Sequence, residues 1–260
     1  MNEKTFLFDR IAHESVAQTV VDRIEAMVIN GILSDGDRLP SERELSEKLN
    51  ISRPKVREAL KLLEKVGLLE VRHGDGTFVA KLTGQAMTPA LIDVYGRHGT
   101  AFFDYLEYRR EQEGFAARCA ALRATPPDRD AIQACLDKLI KAYDEKDLET
   151  SLEADIAFHS AIVKASHNVM LIHMMRSIYE MTAQKIFFSR NHLRDIKGSG
   201  AALLEQHKNI AKAILSGDED AAETAARAHM NYVEEKFRWQ MEYDKRHAVA
   251  EKRHSKILHG

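Results

Sequence analysis

The sequence predicts a mostly α-helical chain in two parts: a small N-terminal head of three helices and a two-stranded hairpin, then an all-helical bundle. Three observations carry this. Residues 15–65 hold three amphipathic stretches in close succession, and the run "LLEVRHGDGTFVAK" after them is two strand-like segments about a glycine turn. Beyond residue 100 only the 3.6-residue helical period recurs, interrupted by short capping sequences. Finally, 260 residues leave room for two modest domains, and 44% hydrophobic against 30% charged residues is the balance of a folded chain.

The elements follow in order. In "SVAQTVVDRIEAMVING" the residues Val16, Val20, Ile24, Met27 and Val28 share a helical face, and Gly31 closes the pattern. A turn, "LSDGDRLP", leads to Ser41 and Glu44, an S-x-x-E capping box that opens a helix through Leu49, with Leu45 and Leu49 as its inner side. "NIS" is a tight turn whose Ser52 is the N-cap of the next helix, where Val56, Leu60 and Leu63 form the inner stripe. The hairpin turns at His73-Gly74-Asp75-Gly76. Helix, helix, turn, helix, hairpin is the order of a winged helix-turn-helix, here over residues 10–80. Residues 81–99 are weakly patterned and read as a linker. Six helical segments follow at 100–123, 127–144, 147–166, 168–195, 200–216 and 218–243, making a bundle over 100–243. The basic, His-rich stretch 244–260 reads as a frayed, solvated tail.

No stretch of about 18 apolar residues is present, and "MNEKTFLFDR" lacks the apolar core of a secretory leader, so a cytoplasmic protein without membrane partners is expected. Cys119 and Cys135 have no metal-type spacing and read as reduced core thiols.

The formal net charge of −2 hides a local cluster: Arg53, Lys55, Arg57, Lys61, Lys65 and Arg72 face only Glu58, Glu64 and Glu70. A helix fits the major groove of double-stranded DNA with its first turns at the base edges. Arg53 can fork onto guanine O6 and N7, while Lys55 and Arg57 can read bases or clamp phosphates. Pro54 costs little in a first turn, whose N–H groups lack intrahelical partners and suit a phosphate. Arg43 is placed to grip the backbone, and His73 and Gly74 at the wing tip to enter the minor groove. The plain alternative is an ordinary solvated face, which the order of capping box, turn, cationic helix and wing argues against.

On these residues the chain resembles the GntR-family DNA-binding domain over residues 15–80, through L-P-S-E-R-E-L, S-R-P-x-V-R-E-A-L, G-L-L and G-x-G-T-x-V. The resemblance implies DNA contacts at Arg43, Ser52, Arg53, Arg57, His73 and Gly74. Asp75 departs from that expectation, since an acid at the wing tip repels phosphate.

In the bundle, three helical patterns carry polar residues on faces that should be apolar. Asp155 and His159 stand four apart in line with Leu152 and Ile162; His207 aligns with Ile210, Ala211 and Ile214; His229 follows Ala222, Ala225 and Ala226. One carboxylate and three imidazoles converging inside a bundle make a site for a first-row divalent metal, zinc first, with nickel or manganese as alternatives. Taken singly, each histidine also reads as a satisfied core residue.

The motifs D-x-x-F-H, A-S-x-N and E-x-H-x-x-I-x-x-A-I-x-x-G-D, with the opening "LEYRREQEGFAARCAA", resemble the FCD effector domain of the FadR subfamily over residues 100–235. That resemblance implies that Asp155, His159, His207 and His229 hold the metal and that Arg109 lies in the effector pocket, although Arg109 also reads as an ion-pair partner of Glu113. Gln206 is a departure beside His207. "KASHNVML" and "FFSRNHL" resemble regulators of pyruvate dehydrogenase and lactate use. The expected function is a homodimeric transcription factor, a repressor, that binds a palindromic operator and senses a small organic acid such as pyruvate or lactate. A metal-dependent, hydrolase-like enzyme with an accessory DNA-binding domain is the alternative.

Overall fold

The computed structural model describes residues 15–81, 99–146, 148–183 and 199–259, which form nine helices and one two-stranded sheet. The chain divides into two compact units, residues 1–84 and 85–260.

In the first unit, α1 (Val16–Ile29) stops at Asn30 and at Gly31, whose φ of +67° a side chain would strain. Its buried face is Ala17, Val20, Val21, Ile24 and Val28, whereas Val16 is exposed and Met27 half-buried. The inner stripe therefore lies about one position round the helix from the expected one, with Ala17 and Val21 inside it. α2 (Glu42–Leu49) opens on the expected capping box: the Ser41 hydroxyl accepts the Glu44 N–H, and a Glu44 carboxylate oxygen accepts the Ser41 N–H at 2.8 Å. Leu45 and Leu49 reach the core but stay half-buried. Asn50, left-handed at φ +54°, turns the chain into α3 (Arg53–Lys65), whose Val56, Ala59, Leu60 and Leu63 are fully covered. Ser52 stands at the N-cap position with extended dihedrals, but its hydroxyl makes no capping bond.

β1 (Leu69–Arg72) and β2 (Gly76–Val79) pair antiparallel, Leu69 opposite Val79 and Arg72 opposite Gly76. The stretch expected as a plain turn also joins this sheet. Leu39 N–H donates to the Thr77 carbonyl, Val79 N–H to Asp37 and Gly36 N–H to Val79, each at 2.9 Å, so residues 36–39 flank β2.

The described residues of the second unit form six helices: α4 (Gly99–Arg123), α5 (Pro126–Asp144), α6 (Leu148–Ala165), α7 (Val169–Ala183), α8 (Ser199–Ser216) and α9 (Glu219–His259). Local chemistry sets the breaks. Thr125 and Asp128 form a capping box that spans Pro126 and Pro127 in the first turn. The Asn168 side chain caps α7 by accepting the Leu171 N–H, and Asp218 caps α9 by accepting that of Ala221. Of the helix expected over 168–195, the part beyond Ala183 lies outside the described residues, as do "FFSRNHL" and the 82–98 portion of the linker. The basic stretch expected as a frayed tail is helical instead: α9 runs unbroken to His259, with no helix-breaking glycine or proline before Gly260.

The bundle core is built on Ile132, Leu136, Phe158, Ile162, Met175, Ile210 and Ile214. Against it, Ala116, Ala117, Ala120 and Ala121 of α4 meet Ala222 and Ala226 of α9, and this row of small residues brings the two helices close. Gly114 marks the tightest point, since a Cβ there would stand 2.8 Å from Arg227 Cγ and 3.0 Å from its Nε. Arg227 lies across Gly114 to reach Glu111 on α4 while holding Glu223 on its own helix at 3.0 Å. No described helix is long and apolar enough to cross a membrane.

Replacing a helical glycine by alanine ordinarily gains ~0.5–1 kcal/mol. Gly114→Ala is expected to lower the melting temperature despite that gain, because Arg227 must leave both partners. Adding Arg227→Ala to it should restore the melting temperature, and thermal unfolding of the two variants checks this. A single variant more stable than the parent would contradict the packing described.

Candidate functional site

The bundle buries an unusual set of polar groups. Arg109, Glu113, Asp155, His159, His207 and His229 are each less than a tenth exposed. They come from four helices: Arg109 and Glu113 four apart on α4, Asp155 and His159 four apart on α6, His207 on α8 and His229 on α9. Phe158, fully buried, sets its ring edge-on to both His159 and His207, with centroids 5.5 and 5.3 Å away.

The three imidazoles share one focus. One ring nitrogen from each of His159, His207 and His229 falls in a group whose members are all within 4.8 Å of one another. Nε2 of His159 and Nε2 of His207 are 3.3 Å apart, and Asp155 Oδ1 lies 3.1 Å from His207 Nε2 and 3.8 Å from His159 Nε2. Nitrogens about 2.0–2.1 Å from one tetrahedral zinc lie roughly 3.3 Å apart, which is the separation of the His159 and His207 Nε2 atoms, and the His229 nitrogen lies within 4.8 Å of both. The outer nitrogens are engaged elsewhere. His159 Nδ1 is 2.7 Å from Glu113 Oε2, and His229 Nδ1 is 3.0 Å from Gln206 Oε1. A neutral ring that donates from Nδ1 carries its lone pair on Nε2, and for His159 it is Nε2 that lies nearest His207. The residues present therefore fit a borderline divalent metal: nitrogen and oxygen donors, a buried setting and outer partners that orient the rings.

Glu113 binds in two directions. Its Oε1 accepts from Arg109 Nη2 at 2.7 Å and from Nε at 3.2 Å, while Oε2 faces His159. Burial would raise its pKa, but the hydrogen bonds and electrostatic pull of His159 and Arg109 outweigh that and hold its carboxyl below the usual carboxylate range. Arg109 stays charged: burial opposes its charge, and Tyr105, Glu113 and Tyr179 more than compensate. Its guanidinium lies between the rings of Tyr105 and Tyr179, 5.8 and 5.7 Å from their centroids. Tyr105 is anchored through its hydroxyl to Thr182 on α7.

The head carries the other predicted residues. Arg43, Ser52, Arg53, Lys55, Arg57, His73 and Gly74 are all exposed, Ser52 to Arg57 at the start of α3 and His73 and Gly74 at the hairpin turn. Gly74 has φ +79°, a conformation that disfavours any side chain at the tip. The cations differ in their neighbours. Arg57 forks onto Glu42 of α2, Nη2 to Oε2 at 2.7 Å and Nε to Oε1 at 2.9 Å, and so straps α2 to α3. That hydrogen bond, against a small effect of burial, lowers the Glu42 pKa. Lys55 pairs with Glu58 at 2.8 Å, and Arg43 lies 3.9 Å from Glu47. Arg53 makes no side-chain hydrogen bond to any described residue, which leaves its fork open at the tip of α3.

Sequence reasoning missed three contributors. Glu113 was visible only as an ion-pair partner of Arg109, and its bond to His159 needs the α4–α6 contact. Gln206 stood out only as a departure from the motif. Tyr179 sits in a helix whose pattern is generally apolar, so nothing marked its ring as a wall of the Arg109 niche.

A winged helix-turn-helix head, joined in one chain to a helical bundle with a buried polar focus, defines a transcriptional regulator. Residues 16–79 match the family described as "Bacterial regulatory proteins, gntR family", and residues 104–232 match the FCD domain. The chain belongs to the GntR family and carries an FCD domain. It is similar to the putative L-lactate dehydrogenase operon regulatory protein of Escherichia coli, with 33% identity over 90% of each chain. The Glc operon transcriptional activator of the same organism is 35% identical over 84% of this chain and 87% of its own. The HTH-type transcriptional regulator LutR of Bacillus subtilis is 33% identical over 80% and 95%. Among solved structures, Streptococcus agalactiae GntR aligns with a TM-score of 0.52 and 25% identity, covering 85% of this chain and 99% of that one. These relatives are regulators and not enzymes, which sets aside the hydrolase-like alternative.

Removing one member of a buried ion pair strands the other. Arg109→Met is expected to cost about 3–5 kcal/mol in equilibrium unfolding, because Glu113 stays charged in the bundle. A loss below ~1 kcal/mol would show that water already shares this pair.

Proposed function

We propose that this chain is a homodimeric repressor that binds a palindromic operator in double-stranded DNA and is released by a small organic acid bound at a metal site in its FCD domain. The observation that carries the proposal is the convergence of His159, His207 and His229, with Asp155 beside them, at one buried focus two contacts from Arg109. Asp155, His159, His207 and His229 would hold the ion, zinc first, with nickel or manganese suited to the same donors. Such an ion, when bound, supplies a Lewis-acid position for a carboxylate oxygen. Arg109 supplies the organic side of recognition, a fixed guanidinium with N–H groups beyond those that Glu113 occupies.

The ligand class follows from this pairing of charge and size: a short acid, with lactate and pyruvate the first candidates. A relative named for the L-lactate dehydrogenase operon supports that choice. The repressor sense follows the commoner arrangement among regulators of this kind. One relative is named an activator, and a reporter assay with and without the acid separates the two senses. The acid acts only as far as it binds one arrangement of the DNA-binding heads better than another.

On the DNA side, Arg53 is the base reader, because its fork is open at the start of α3. Lys55, Arg57 and Arg43 clamp the backbone once their carboxylate partners yield them to phosphate, Ser52 donates to phosphate at the helix start, and His73 and Gly74 enter the minor groove. On an operator selected from random duplexes by the parent protein, Arg53→Ala should cost about 1–3 kcal/mol of specific affinity. Its affinity for random DNA should fall far less across a salt series. Equal losses on both DNAs would remove the base-reading role.

Metal analysis checks the other half. The purified parent should carry close to one divalent ion per chain, and the double variant His207→Ala/His229→Ala essentially none. Equal metal content in both would remove the metal assignment.

A further inference from the structure

We propose that Glu113 is the positioning residue of the sensor site, one carboxylate that sets the His159 tautomer with one oxygen and aims the Arg109 guanidinium with the other. The inference rests on the metal reading above and extends it to a residue outside the ligand set.

The geometry is specific. Glu113 is 3% exposed, and its two oxygens serve different partners: Oε1 takes Arg109 Nε and Nη2, and Oε2 takes His159 Nδ1 at 2.7 Å. An ionised carboxylate only accepts hydrogen bonds, so Nδ1 of His159 must be the donor. In the neutral ring Nε2 then carries the lone pair, and it is Nε2 that stands 3.3 Å from His207 Nε2. Without Glu113 both tautomers become accessible and the ring can swing about its χ2 axis. The Arg109 side follows in the same way. Its planar group is walled by Tyr105 and Tyr179, but ring faces do not fix rotation in their own plane. The two bonds to Oε1 do. Glu113 is thus a side chain hydrogen-bonded to both halves of the site, the imidazole and the guanidinium.

A purely structural role would look different. Glu113 would then serve only to neutralise buried Arg109, and removing both together would leave the metal site intact. The double variant Arg109→Met/Glu113→Gln separates the two cases, and it also guards against a single variant that unfolds.

The experiment measures zinc affinity of the full-length chain by competition with a chromophoric chelator, for the parent, Glu113→Gln and Arg109→Met/Glu113→Gln. Circular dichroism confirms that each is folded. Loss of such an outer-sphere partner ordinarily weakens metal binding by about 10–100-fold. A drop in that range is expected for both variants. Recovery of parent affinity in the double variant would reduce Glu113 to a charge partner of Arg109 and overturn the inference, as would affinities within threefold of the parent in both. A second readout needs no metal: nitrogen-15 spectra of the metal-free parent should show His159 protonated at Nδ1, and Glu113→Gln should shift that signal toward a mixture of tautomers. If the parent binds no zinc while His159 is still held at Nδ1, the metal reading has failed and the placement of Glu113 by the fold has not.

Discussion

A carboxylate buried in an alanine- and isoleucine-rich bundle is tolerated only when every one of its oxygens is used, and Glu113 meets that condition through Arg109 on its own helix and His159 on α6. From there the constraint spreads. His159 must lie where Glu113 can reach Nδ1, which turns Nε2 toward His207; Asp155, one helical turn earlier, then faces the same nitrogens. His229 closes the group from α9, held by Gln206. A sheet of such contacts across α4, α6, α8 and α9 costs stability if any member is lost. It also fixes the relative placement of these helices more tightly than apolar packing alone, because hydrogen bonds are directional and side-chain contacts between methyl groups are not.

The apolar part of the bundle cooperates with this requirement. Alanines on α4 and α9, with Gly114 under Arg227, draw these two helices together, the one that carries Arg109 and Glu113 and the one that carries His229. Phe158 fills the space beside the rings of His159 and His207 and limits their rotation.

Much of the head was legible in advance because its devices are local. A capping box, the tight Asn50-Ile51-Ser52 turn, a proline in a first turn and a glycine hairpin act over a few residues, and each can be read from spacing. Errors arose where tertiary contact decides. Val16 looked like core by period and is exposed; residues 36–39 looked like a turn and lie along β2. In the bundle, Asp155, His159, His207 and His229 could be noticed because a polar residue on an apolar stripe breaks the pattern. Glu113 and Gln206 could not be noticed in that way. An i, i+4 arginine–glutamate pair is ordinary on any helix, and only the packing of α4 against α6 turns this one inward. The basic C-terminal stretch misled for a related reason: high charge suggests solvated coil, yet no residue in it stops a helix already begun.

The central claim is that four side chains, three imidazoles and one carboxylate, form a single nitrogen- and oxygen-lined metal site inside the bundle. X-ray absorption at the zinc edge of the purified, zinc-loaded chain tests it most directly. The account predicts a first shell of nitrogen and oxygen only, with the outer-shell scattering of three imidazoles. Sulfur in that shell, which would bring in Cys119 or Cys135, or scattering from fewer than two imidazoles, would contradict it.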